Sequence, residues 1–162
     1  MPKYSELLPD NEIVSMLGPQ DKNVVLLACG GCINESLAFK YSMPIISYGD
    51  KETYPAIESE CKRLTRLLTD NGVLVTTFYL PPGTKCIRDL DDKPFLIPED
   101  VKPDIILVLS CPDGIWGLSR NIKGVPLIRI SKWVEIMFYR YRDDGKLREI
   151  ERGTISKFSI AT

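Results

Sequence analysis

Two continuous apolar runs constrain the fold of this chain more than any other feature. The first is Val24 to Ala28, and the second is the apolar stretch inside Asp104 to Ser110. A strand with one solvated face alternates apolar and polar positions, whereas a strand buried on both faces stays apolar throughout. The two runs therefore predict the central strands of a parallel sheet in an α/β protein.

Helix and turn signals predict the neighbouring elements. The clearest helix runs from about Tyr54 to Thr69 and is stopped by Asp70-Asn71-Gly72. Shorter helices are predicted after Asp10 as N-cap, directly behind Cys32, and from Gly114 to Ser119. Further strands are predicted at Ile45 to Tyr48, Val73 to Leu80 and Val125 to Ile130.

This alternation of strands and helices favours one architecture. We expect a Rossmann-like or flavodoxin-like fold, with a mainly parallel sheet, helices on both of its faces and a C-terminal β-hairpin appendage. The hairpin would place Phe138 to Arg142 and Leu147 to Arg152 on either side of Asp143-Asp144-Gly145-Lys146. We expect a single α/β domain over 1–162, made of an N-terminal helix (1–20), an α/β core (21–135) and a hairpin and tail (136–162).

The charge balance and the absence of histidine exclude several classes of function. The 21 basic residues are matched by 22 acidic ones, so the positive stripe typical of nucleic-acid binding is missing. With no secretory signal pattern and no bilayer-length apolar run, we expect a cytoplasmic protein that does not bind membranes. The chain has five cysteines and no histidine. A histidine-dependent triad is excluded, and a soft metal would be bound mainly by thiolates.

Four of the five cysteines share one position relative to the predicted strands. Cys29 and Cys32 follow the first strand in Cys29-Gly30-Gly31-Cys32, Cys86 lies in the loop after the strand that ends at Leu80, and Cys111 follows Ser110. Ligand sites of parallel sheets collect in the crevice beyond the carboxyl ends of the strands. The pattern predicts a metal centre on these four cysteines, because tetrahedral zinc and cubane iron–sulfur clusters both take four thiolates.

Two other interpretations remain open at this point. A dithiol oxidoreductase would need only Cys29 as the attacking and Cys32 as the resolving thiol. Alternatively, Cys86 and Cys111 are simply buried thiols that pack at strand ends. For Cys61 we predict a place in the core, since its neighbours at helical spacing are all apolar. These neighbours are Ile57, Leu64 and Leu68.

The remaining candidate side chains receive structural interpretations. Trp116, Trp133 and the Phe138-Tyr139 pair could shape a partner surface or a flavin edge. We favour the core for them, because aromatic residues beside apolar runs usually lie there, and assign them no site. The carboxylates of Glu35, Asp50 and Asp113 lie near strand ends without a paired carboxylate, and we expect them on the solvated surface.

The cysteine segments resemble those of a known family. The stretch from about Asn11 to Phe138 resembles the methylenetetrahydrofolate reductase C-terminal domain family, through Val24 to Cys32, Cys86 and Leu107 to Gly114. The resemblance implies a small subunit that transfers electrons in one-carbon metabolism beside a flavin-containing reductase subunit or another redox subunit, without catalytic residues of its own. It implies an iron–sulfur cluster, [4Fe–4S] being favoured and zinc the alternative, on Cys29, Cys32, Cys86 and Cys111. A structural zinc domain that only holds a complex together is the variant of this interpretation without redox chemistry.

Overall fold

A computed structural model of the chain describes residues 3–43, 55–80, 95–141 and 148–153. Within these ranges, residues 137–141 and 148–153 are described by their backbone alone. The elements follow in chain order. They are β1 (Lys3–Leu7), α1 (Asp10–Ser15), β2 (Asn23–Cys29), α2 (Cys32–Lys40), α3 (Pro55–Asp70), β3 (Leu74–Leu80), β4 (Ile105–Leu109), α4 (Pro112–Asn121), β5 (Leu127–Arg129), β6 (Ser131–Tyr141) and β7 (Arg148–Gly153).

A four-stranded parallel sheet forms the centre of the molecule. Its strand order is β3-β2-β4-β5, so the two strands predicted from the apolar runs lie side by side in the middle. Val24 pairs with Ile105, and Ala28 pairs with Leu109. All five residues of β4 and six of the seven residues of β2 are buried. The prediction of a mixed α/β protein with a parallel sheet is confirmed.

The longest helix, α3, packs its apolar stripe on this sheet. Ile57, Leu64 and Leu68 are fully buried in the core, and Cys61 lies between them. The helix ends as the sequence predicts. Gly72 adopts a left-handed conformation with φ of +83°, and the Gly72 and Val73 N–H groups donate to the carbonyls of Thr69 and Leu68. A glycine is favoured there because it lacks the Cβ that opposes positive φ.

The N-terminal segment differs from the prediction. Ahead of α1 lies the strand β1, which pairs antiparallel with β6 in a second sheet of order β1-β6-β7. The five residues of β1 carry no strong pattern, because only Tyr4 and Ser5 are buried. Its pairing depends on β6, far away in the sequence. The N-cap of α1 is Pro9 and not Asp10, since the Asp10 carboxylate instead pairs with Arg63 at 2.7 Å.

The assignment of two tryptophans to the core is wrong. Trp116 is 58% exposed, because it lies on the face of α4 opposite the buried Gly117 and Leu118. The Arg120 guanidinium lies over its ring at 5.0 Å. Trp133 on β6 is also exposed, and its indole N–H donates to the Glu135 carbonyl.

Several predictions fall outside the described residues. They concern the strand at Ile45 to Tyr48, the loop with Cys86, the turn at Asp143 to Lys146 and the side chains of Phe138 and Tyr139. β6 and β7, on either side of that turn, pair antiparallel. Among the helices of the described ranges, none has the length and apolar character that crossing a bilayer requires.

Candidate functional site

The two central strands bring distant cysteines to the same edge of the sheet. Cys29 is the last residue of β2, and Cys111 follows β4 by two positions, while Ala28 and Leu109 are direct partners in the parallel register. Neighbouring strands lie about 4.8 Å apart. β2 has β3 on one side and β4 on the other, so the chain leaves β2 at the point where the strand order reverses. Open α/β sheets bind ligands in the crevice at this switch point.

Two helices begin at cysteines of this edge. Cys32 is the first residue of α2, and Cys111 is the N-cap of α4. The carbonyl of Cys111 accepts the N–H groups of Gly114 at 3.1 Å and Ile115 at 3.4 Å. The N-terminus of a helix carries a partial positive charge, which stabilises a nearby anion. We name Cys29, Cys32 and Cys111, together with these two helix starts, the strand-end site.

Hydrogen bonds join two of the three sulfur atoms to each other, and backbone N–H groups donate to Cys29 and Cys32. The thiols of Cys32 and Cys111 are hydrogen-bonded to one another, and the Lys3 N–H donates to the sulfur of Cys32. The Gly31 N–H donates to Cys29 Sγ at 3.4 Å. N–H donors directed at sulfur are the usual surroundings of thiolates that bind metal or act in redox chemistry.

These contacts change the acidity of Cys32. The hydrogen bond from Cys111 holds the pKa of Cys32 below its usual value, and the Lys3 N–H acts in the same direction. Burial and the negative charges of Glu35 and Cys29 oppose the change. The net lowering means that Cys32 loses its proton more easily than an ordinary thiol, despite the partial loss of water.

The three sulfurs differ in their access to solvent. Cys29 is 7% exposed and Cys111 is 3% exposed, whereas Cys32 is half-buried. A reagent from solution therefore meets Cys32 first. Cys29 and Cys111, at the ends of the central strands, are thus shielded from solvent, and Cys32 is the most accessible of the three sulfurs.

The strand β1 closes one side of this site, which the sequence did not predict. Besides its backbone bond to Cys32, Lys3 places its Nζ atom 2.5 Å from Oδ2 of Asp113, in the first turn of α4. One residue therefore joins the starts of both cysteine-bearing helices. The sequence carries no signal for this role, because a single lysine is normally a solvated charge.

Polar residues inside α2 hold that helix in position. Ser36 accepts the Ser5 N–H of β1 at 3.1 Å, and its hydroxyl donates to the Cys32 carbonyl at 2.7 Å. Asn34 Oδ1 accepts the Ile57 N–H in the first turn of α3 at 3.1 Å. Each bond satisfies a polar group that would otherwise be buried without a partner. Polar residues interrupting an otherwise apolar helix are the sequence signal for such contacts.

The expectation of a solvated Glu35 is wrong. Its side chain is only 4% exposed, because α2 is covered by β1, by α3 and by the sheet. The same cover buries both apolar and polar positions of α2. Asp113 is half-buried and paired with Lys3. Asp50 lies outside the described residues.

The structure brings together three of the four predicted ligands. Cys29, Cys32 and Cys111 are neighbours, and Cys86 lies outside the described residues, beyond the end of β3 at Leu80. Within the ranges that are described, no three Cys, Asp or Glu side chains are arranged to hold a metal ion. The available ligand atoms nevertheless fit a thiophilic metal, since they are cysteine sulfurs that accept hydrogen bonds from backbone N–H groups.

Cys61 is separate from this group, as predicted. It is 1% exposed within the apolar stripe of α3. Burial, followed by the charge of Glu60, raises its pKa to about 12, against which the hydrogen bond from Tyr79 acts only weakly. A thiol in this state is a packing residue.

Comparisons of the chain with protein-family models, with curated proteins and with solved structures find no match. The resemblance to the methylenetetrahydrofolate reductase C-terminal domain family therefore stays a prediction that depends on the cysteine segments alone.

Proposed function

We propose that the chain binds a metal centre on Cys29, Cys32, Cys86 and Cys111 and serves as an electron-transfer subunit. The observation that carries the proposal is the meeting of Cys29, Cys32 and Cys111 at the switch point of the sheet. Buried cysteines with only a packing role have no reason to gather where two helix N-termini also begin.

The surroundings of the sulfurs support a cluster over a bare thiol site. Hydrogen bonds to cluster sulfurs are among the features that set the potential of an iron–sulfur centre. Here the Gly31 and Lys3 N–H groups donate to Cys29 and Cys32. A [4Fe–4S] cluster, when bound, supplies reversible one-electron transfer, and zinc is the alternative occupant. The chain's own residues hold the ligands, stabilise their anionic form and exclude water from two of them.

The wider biological setting is also part of the proposal. We infer a cytoplasmic accessory subunit of a methylenetetrahydrofolate-reductase-like complex, with a flavin-containing subunit or another redox subunit as its partner. The order β3-β2-β4-β5 and the antiparallel pairing of β6 with β7 support a flavodoxin-like arrangement with helices on both faces and a C-terminal hairpin.

Metal analysis after anaerobic purification tests this function. Iron, sulfide and zinc are quantified with a visible spectrum for the wild type, for Cys111→Ser and for Cys61→Ala as the matched control. We expect a brown wild type, a Cys111→Ser variant that has lost most of its iron, and an unchanged control. A colourless protein with stoichiometric zinc would favour the structural zinc domain. A metal-free wild type would contradict the proposal.

A dithiol oxidoreductase is the second candidate, favoured by the hydrogen bond between Cys32 and Cys111 and the lowered pKa of Cys32. The sequence interpretation assigned attack to Cys29 and resolution to Cys32. Reduction of a model disulfide by wild type and by Cys86→Ser separates the two candidates, because an enzyme of this kind needs no fourth cysteine. Full activity in Cys86→Ser would favour it, and no activity in the wild type would exclude it.

A further inference from the structure

The contact between Cys32 and Cys111 identifies a second chemical state of the strand-end site. We propose that these two residues, and not the pair within Cys29-Gly30-Gly31-Cys32, form a disulfide when no metal is bound and a low-molecular-weight disulfide is present. The inference deepens the proposed function, since it describes the same site without its metal.

The geometry distinguishes the two possible pairs. The Cys32 thiol lies in hydrogen-bonding contact with the Cys111 thiol, so the two sulfurs need little movement to bond. Cys29 Sγ is instead held against the backbone by the Gly31 N–H at 3.4 Å. A disulfide requires sulfur atoms about 2.05 Å apart and side chains that point toward one another. The pair that is already in contact meets this requirement most easily.

The backbone holds the Cys32 and Cys111 segments independently of each other. Cys111 is fixed by the end of β4 and by the first turn of α4, whose Gly114 N–H bonds to it. Cys32 is fixed by α2 and by the Ser36 hydroxyl, which donates to its carbonyl at 2.7 Å. Because both backbones are held by their own helices, the disulfide can form by rotation of side chains.

Exposure sets the order of the two chemical steps. Cys32 is half-buried and Cys111 is buried, so the Cys32 thiolate attacks one sulfur of glutathione disulfide first. This step forms a mixed disulfide and releases one glutathione thiolate. Cys111 then loses its proton to solvent, and its sulfur attacks the sulfur of Cys32 and releases the second glutathione thiolate. The cysteine pair has lost two electrons, and glutathione disulfide has been reduced to two thiols.

Peptide mapping after oxidation tests the inference. The full chain is stripped of metal with a chelator, reduced, treated with glutathione disulfide in native buffer or in urea, quenched with acid, alkylated and digested without reductant. In native buffer we expect one dominant cross-link, between the Cys32 and Cys111 peptides, which also forms in Cys29→Ser. In urea, where the contact is lost, we expect a mixture of pairs. In Cys111→Ser we expect a lasting glutathione adduct on Cys32.

Other outcomes would overturn the inference. A dominant link from Cys32 to Cys29 or to Cys86, or the same mixture of pairs in native buffer as in urea, would contradict it. So would a wild type that keeps glutathione on Cys32. Metal content, measured before chelation, keeps the two proposals apart. If the purified protein holds no metal but gives the Cys32 to Cys111 link, only the proposal of a metal centre is contradicted. If it holds metal but gives another link after chelation, only the proposal of the disulfide is contradicted.

Discussion

The described cysteines lie in two regions of this molecule, α3 and the strand-end site, which shift the pKa of a thiol in opposite directions. Cys61 lies within α3 on apolar neighbours, and its pKa is raised to about 12 by burial. Cys32 lies at the start of α2, and the hydrogen bond from Cys111 lowers its pKa. Burial acts on both thiols. The difference shows that hydrogen-bond donors and position along the helix decide whether a buried thiol is a packing group or a chemical one.

The largest expected effect is on alkylation. In metal-free, reduced protein at pH 7, we expect iodoacetamide to modify Cys32 at least about a thousand times faster than Cys61, because a thiol with a pKa near 12 is almost never ionised at that pH. Peptide mass spectrometry over a time course measures both rates. Rates within ten-fold of each other would remove the contrast between the two regions.

Stability should show the reverse contrast. Leu64 is fully buried beside Cys61, and Leu64→Ala is expected to lower the free energy of unfolding by about 2 to 5 kcal/mol through lost burial and a cavity. For Cys32→Ala in the metal-free protein we expect less than about 1 kcal/mol, since that side chain is only half-buried. Urea unfolding with a chelator present measures both. Equal losses of unfolding free energy in the two variants would mean that Cys32 stabilises the fold as much as a core leucine does.

Alkaline pH should destabilise the chain through Cys61. The pKa of Cys61 rises from the 9.0 of an ordinary thiol to about 12 in the folded chain, so the unfolded state loses the proton first. The contribution is therefore present in full below pH 9 and is lost as pH rises toward 12. At pH 11 the loss amounts to roughly 3 kcal/mol. Between pH 8 and pH 11, the free energy of unfolding should fall less in Cys61→Ala than in the wild type. An equal fall in both proteins would contradict the raised pKa of Cys61.

The smallest expected effect concerns the cover of the site. Lys3→Met removes the ion pair with Asp113, and a partly exposed pair contributes about 1 kcal/mol or less. We expect the alkylation rate of Cys32 to rise by at most about five-fold, with Lys62→Met, an exposed lysine on α3, as the control. A slower reaction in Lys3→Met than in this control would show that Lys3 activates Cys32 and does not shield it.

The core of the fold could be predicted because its signals are local. Val24 to Ala28, the stop at Gly72 and the stripe through Leu64 each depend on a few consecutive residues, and each matches the structure. β1 could not be predicted, since Lys3 to Leu7 becomes a strand only by pairing with β6. Pairings between distant segments leave little trace in local patterns.

For the candidate site, the sequence predicted the strand-end positions of Cys29, Cys32 and Cys111 but not their contacts. Placing cysteines at the ends of parallel strands brought Cys29, Cys32 and Cys111 into one crevice. Which two of them touch depends on where α2 and α4 begin, and no spacing rule gives that. The buried position of Glu35 escaped prediction for the same reason, because the cover over α2 is supplied by β1 and by α3.

The pairing of β1 with β6 also sets when the site is completed during synthesis. Lys3 bonds to Cys32 from a strand whose partner, Ser131–Tyr141, is translated after every other segment of the parallel sheet. At about 5 to 20 residues per second, roughly 6 to 25 seconds separate the end of β1 from the start of β6 at the ribosome. Until then one side of Cys32 stays open. Any agent that loads or reduces this site therefore has its widest access to the nascent chain before β6 has been translated.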